Sequence, residues 1–147
     1  MGASGWIYYA EYSRNFDDVL NSLHDRVLAS GDFLWTDDDL PRPRSLQELR
    51  DLYEDEDYEH LAEEGTHSVL DIERLAVAVP DQPGVVVVMH PAKVHEVFGT
   101  YEPTREQFDA AYKGTALHDF PTWSGRITTL YADGRPAEIV VWGHSGD

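Results

Sequence analysis

The sequence predicts an α+β domain with a mostly antiparallel sheet of about five strands and helices packed mainly on one face. Three observations carry that expectation. Runs of β-branched and aromatic residues come as adjacent pairs, at 67–79 with 85–90 and at 126–132 with 135–143. Paired amphipathic segments with helix start and stop signals stand between them. No G-x-G-x-x-G occurs and no single-helix crossover recurs, which disfavours a doubly wound parallel sheet. The expected order is β-α-α-β-β-α-α-β-β in one domain over residues 1–147, without internal repeats or low-complexity linkers.

Each element has its own justification. GWIYYAEY (5–12) is aromatic and β-branched, hence a strand. Asn15 is suited to cap a helix whose first turn holds Asp17 and Asp18. Phe16, Leu20, Leu23 and Val27 form its apolar stripe and Gly31 its stop. Pro41 and Pro43 hold 32–44 as a loop. Ser45 and Glu48 make an S-x-x-E capping box opening a helix to about residue 54. The acidic run 54–64 then reads as a solvated helix end or mobile loop.

HSVLDIERLAVAV (67–79) reads as a strand, PDQPG as a turn and VVVVMH as a buried strand, together an antiparallel hairpin. Pro91 and Gly99 bracket a short helix, and Thr104 with Gln107 form a second capping box. Residues 115–125 are irregular. Asp133-Gly134, between two β-branched runs, signals a type I′ hairpin. Gly143 to Gly146 read as mobile or turn-like, with His144 and Asp147 in solvent by default.

Charge is the most pronounced bulk property. Asp and Glu number 28 against 11 Lys and Arg, a formal net charge of −17. Binding to nucleic acid by counterion release is disfavoured, as is an anionic membrane surface. No apolar run approaches the ~20 residues of a membrane span, and the N-terminus lacks signal-peptide character. The chain has no cysteine, which fits a cytoplasmic location and excludes thiolate chemistry.

Candidate chemistry clusters at strand ends. EGTHSVLDI (64–72) brings His67 and Asp71 together. On an extended strand they would lie about 13 Å apart on one face, too far for a hydrogen bond. Asp71, flanked by Leu70 and Ile72, reads either as a buried carboxylate of raised pKa suited to general acid catalysis or as a strand aspartate paired with Arg74 or Arg126. His67 reads as catalytic or as part of a turn capped by Thr66 and Ser68. His118, beside Phe120 and Trp123, sits in a loop fit to wall a pocket. A tail packed back over the sheet would join His144 to Trp142 and Tyr8 around a cavity. His90 and His95 have no ligand spacing, so neither metal nor cofactor is expected. Ser68 and Ser145 stand outside any G-x-S-x-G.

GWIYYAEY, GTHSVLDI, EVFGTYEPTREQ and DGRPAEIVVWGHSGD resemble stretches of a group of small bacterial proteins to which no activity attaches. In that group the tail looks like G-Y-S-x-D, so His144 departs from the pattern. The resemblance implies one compact domain and assigns no catalytic residue.

Two functions from different classes follow. In the first, the nine carboxylates between residues 48 and 64, Glu54, Asp55, Glu56 and Asp57 among them, engage a basic protein partner in the manner of an immunity or antitoxin-like factor. In the second, a small cofactor-free enzyme (cyclase, dehydratase or isomerase) uses His67, Asp71 and His118 on a small apolar ligand, with Tyr8, Trp123 and Trp142 lining its pocket. The enzyme requires a cavity of several hundred Å³ on which at least two of the three groups converge.

Overall fold

Asn15 keeps extended backbone, and its side chain accepts the N–H groups of Asp17 and Asp18. Gly31, at φ 71°, returns its N–H to Val27. Between these caps lies α1 (Phe16–Ser30), the longest helix in the computed structural model, which describes residues 4–146. Asp147 lies outside the described residues. The helices α2 (Leu46–Tyr53), α3 (Glu59–Glu64), α4 (Pro91–Phe98) and α5 (Arg105–Tyr112) follow. At α5 both halves of the Thr104–Gln107 capping box form. At α2 Ser45 caps Glu48 N–H, but the Glu48 carboxylate accepts from Arg44 N–H instead of closing the box.

The strands are β1 (Ser4–Glu11), β2 (Arg74–Ala76), β3 (Val85–Val88), β4 (Ser124–Ala132) and β5 (Arg135–Ser145). They form one sheet in the order β1-β5-β4-β3-β2. The long strands pair antiparallel, β1 with β5 and β5 with β4, the latter across a turn where Asp133 and Gly134 both have positive φ. The short strands pair parallel, β4 with β3 and β3 with β2. The class is therefore α+β, as its composition predicts, on a mixed sheet.

The hairpin expected between 67–79 and 85–90 does not form. Residues Val69–Asp71 wind into a 3₁₀ turn, leaving three residues for β2. The segment 77–84 then carries the chain back, so β3 starts beside the start of β2, Arg74 opposite Val85. Glu73 and Arg74 both donate their N–H to the Gly84 carbonyl, which fixes that return. β-branched composition reports burial and extension but carries no information on strand direction.

Side chains alternate across the sheet and build two cores. On one face Trp6, Tyr8, Ile127, Val86, Ile139 and Val141 meet Leu20, Leu23 and Val27 of α1 and Leu49 of α2. On the other, Ile7, Tyr9, Leu130, Val140 and Trp142 meet Val94 of α4, Phe108 of α5 and Leu117. The helical layer expected mainly on one face is the thicker of two, since α4 and α5 cover the second. No helix among the described residues is long and apolar enough to cross a membrane.

The C-terminal stretch expected to be mobile is instead the end of β5. His144 lies between Gly5 and Ser124 in the ladder, so its neighbours on both sides hold it extended. Its side chain is half-buried rather than in solvent.

Candidate functional site

Polar crowding in EGTHSVLDI resolves into a closed hydrogen-bond network around one carboxylate. Gly65 (φ 69°) turns the chain out of α3, and a Cβ there would stand 2.4 Å from the Trp123 ring. The following residues fold back over Asp71. One Asp71 oxygen accepts from Thr66 N–H at 2.8 Å and Thr66 Oγ1 at 2.9 Å. The other accepts from His67 N–H at 3.0 Å and Ser145 Oγ at 2.5 Å. Ser145 in turn accepts Trp6 Nε1–H at 3.2 Å. Asp71 thus lies on the 3₁₀ turn, not on a strand, and meets His67 through the backbone. Neither expected arginine pairs with it: Arg126 bonds Asp81 and Arg74 bonds Gln82.

Three further groups enclose this turn. His24, on the buried stripe of α1, donates Nε2–H to the carbonyls of Val69 and Ile72 at 3.2 and 2.9 Å, and its Nδ1 has no partner. Burial pushes its pKa below the ordinary imidazole value. Tyr8 belongs to the same side of the sheet, and burial raises its pKa. The Tyr53 hydroxyl is buried without a partner, its pKa raised by desolvation and then by the Asp71 charge. A hollow of about 90 Å³ remains among Leu49, Tyr53, Gly65, Asp71 and Trp123. Trp123, at φ 68°, is a brace: its ring packs on Gly65 and Gly146, and its backbone N–H donates to the His144 carbonyl.

The opposite face of the sheet holds the remaining imidazoles. His118 Nε2 stands 2.8 Å from the Tyr112 carbonyl and must donate to it. In the neutral ring Nδ1 is then bare and accepts Nε2–H of His144 at 2.9 Å. The His144 ring stacks between His118 and Phe120. Burial, then the neighbouring His118, lowers the His144 pKa.

Beside this pair is a cavity of about 320 Å³. Its floor is a cross-strand row, with Val87 of β3 opposite Arg126 of β4 and Arg126 opposite Trp142 of β5. Met89, Leu117 and Phe120 add apolar walls, and His90, Lys93 and Asp119 add polar ones. The Trp142 indole is fixed by donating Nε1–H to the Leu117 carbonyl at 2.7 Å.

Of the candidates read from the sequence, His118 and His144 meet, and both belong to the cavity's side of the sheet with Trp142. His67, Asp71 and Tyr8 belong to the other side, because Ser145 and His144 point oppositely from β5. The three acid–base candidates therefore do not converge, and His144 and Tyr8 do not share a cavity. From the sequence, His24 is not singled out, Ser145 is weighed only as a nucleophile and Arg126 only as a partner of Asp71. His24 was legible as a histidine on the apolar stripe of α1. Arg126 was legible as a charge at the start of a strand run.

A third region is the helical hairpin of α2 and α3, joined by a 3₁₀ turn at Glu56–Tyr58. Leu49 and Leu61 anchor it in the interior. All nine carboxylates between residues 48 and 64 are exposed, including Glu54, Asp55, Glu56 and Asp57. Arg50 is the one Lys or Arg within that stretch.

Comparison with protein-family models, with curated proteins and with solved structures found no match.

Proposed function

We propose that this chain is a binding protein that presents its acidic helical hairpin to a basic protein partner, in the manner of an immunity or antitoxin-like factor. The observation that carries this reading is the exposure of all nine carboxylates of residues 48–64 on a short, anchored helical unit. Such a surface attracts a cationic partner over a Debye length and speeds its association. The enzymatic reading receives less support, since Asp71 is enclosed by four donors and stands across the sheet from His118.

Affinity capture at low ionic strength tests the proposal, with the Glu54→Gln, Asp55→Asn, Glu56→Gln, Asp57→Asn variant run in parallel. A basic protein retained stoichiometrically by the wild type and lost with the variant is the expected outcome. Recovery of the same proteins by both, or of none that is basic, overturns it.

A further inference from the structure

The cavity on the α4–α5 face carries a second and independent inference. A guanidinium in the middle strand of a five-stranded sheet, in a row otherwise made of Val87 and Trp142, contributes little to a core. Arg126 is only 19% exposed in its side chain, and Phe120 stacks on it with the ring centroid 4.8 Å from Cζ. That packing holds the guanidinium against the cavity wall. Its Nη1 donates to Asp81 Oδ1 at 2.8 Å and to the Gly125 carbonyl at 2.9 Å, which leaves Nη2 and Nε for a further acceptor. Asp81 reaches in from the segment 77–84, which also carries Val77, 66% exposed, and Ala78 in the left-handed region at φ 52°. An apolar residue thus stands exposed at the rim of a largely apolar cavity, beside an arginine whose charge is met by a single carboxylate.

We infer that the Arg126 cavity binds a small amphipathic carboxylate with a flat apolar body, and that Asp81, paired with Arg126 Nη1, competes with the ligand's carboxylate for the guanidinium. A planar guanidinium matches a carboxylate edge to edge. A more highly charged anion, such as a phosphate, would need several cations against the chain's net charge of −17, and the cavity's other cation, Lys93, already stands 3.6 Å from Glu96. Trp142, Met89, Leu117, Phe120 and Val87 offer the body an apolar surface. About 320 Å³ sits at the lower end of the small-ligand range, which limits the body to one or two fused rings. Asp119, exposed at the rim, repels a second acidic group and so favours a monoanion.

Calorimetric titration with 2-naphthoate and its neutral counterpart 2-naphthamide tests this. The wild type is expected to prefer the acid by about tenfold, as one charge-assisted contact provides. Asp81→Asn removes the internal competitor and is expected to tighten the acid several-fold while leaving the amide unchanged. Arg126→Met is expected to abolish the preference. Ala116→Trp, at the exposed rim, is expected to displace both probes with Arg126 intact, and unfolding midpoints near wild type for all three variants establish that the fold survives. Absence of saturable binding, equal affinity for the two probes, a preference that survives Arg126→Met, or indifference to Asp81→Asn or Ala116→Trp each overturns the inference.

Discussion

Adjacent residues at the end of β5 look onto two differently built regions. On the Ser145 side a carboxylate is met by four donors, a tryptophan fills the space above two glycines, and about 90 Å³ remains. On the Trp142 and His144 side Arg126 stands on a mainly apolar floor, with His90, Lys93 and Asp119 in the walls, and about 320 Å³ remains. The polar-rich stretch of sequence belongs to the closed region and the polar-poor one to the open region. Dense short polar side chains next to a glycine satisfy one another and shut a turn. The strand charge Arg126 meets only the Gly125 carbonyl nearby and takes its one carboxylate, Asp81, from a distant loop, so the space beside it stays open.

The comparison is sharpened first by removing Asp71. Asp71→Ala orphans the N–H groups of Thr66 and His67 and the hydroxyl of Ser145, with an expected loss of about 3–4 kcal/mol in chemical denaturation. A loss under about 1 kcal/mol would break the view that this network holds the tail to the turn.

A smaller effect comes from pH. The folded-state pKa of His24 is depressed, so unfolding takes up a proton. Its stability contribution is complete above the ordinary 6.5 and is lost as pH falls from there through the folded-state value. His144 acts in the same direction. Stability should therefore decline between pH 7 and 5, and His24→Leu should reduce the slope by up to about 1.4 kcal/mol per pH unit. An unchanged slope would show that His24 keeps its charge when folded.

The smallest effect is expected on the open side. Arg126→Met exchanges a half-buried ion pair for an apolar side chain over an apolar floor and should change stability by less than about 1 kcal/mol. A large loss would make Arg126 a structural group and erase the contrast between the two sides.

Much of the local structure was legible in short-range chemistry. Asn15, Gly31, Pro91, Gly99, Thr104 and Gln107 set helix ends through contacts within a few residues, and Asp133-Gly134 set its turn the same way. Strand direction around β2 was not legible, because it depends on Gly84 accepting from Glu73 and Arg74 and donating to Trp123. The setting of Asp71 was not legible for a related reason: alternation along an assumed strand hides a 3₁₀ turn whose carboxylate takes its fourth donor, Ser145, from 74 residues away. The partner of Arg126 was not legible, because Asp81 and the platform Phe120 come from loops without a pattern.

By itself the sequence determined the α+β class, the helix caps, the β4–β5 hairpin and the acidic character of residues 48–64. Each follows from composition or from contacts between near neighbours, which linear order preserves. Tertiary structure alone decided that β2 and β3 run parallel, that His144 and Ser145 serve opposite faces, and that a cavity opens around Arg126. Those outcomes rest on partners distant in the chain, and side-chain alternation on one central strand separates residues that stand side by side in sequence.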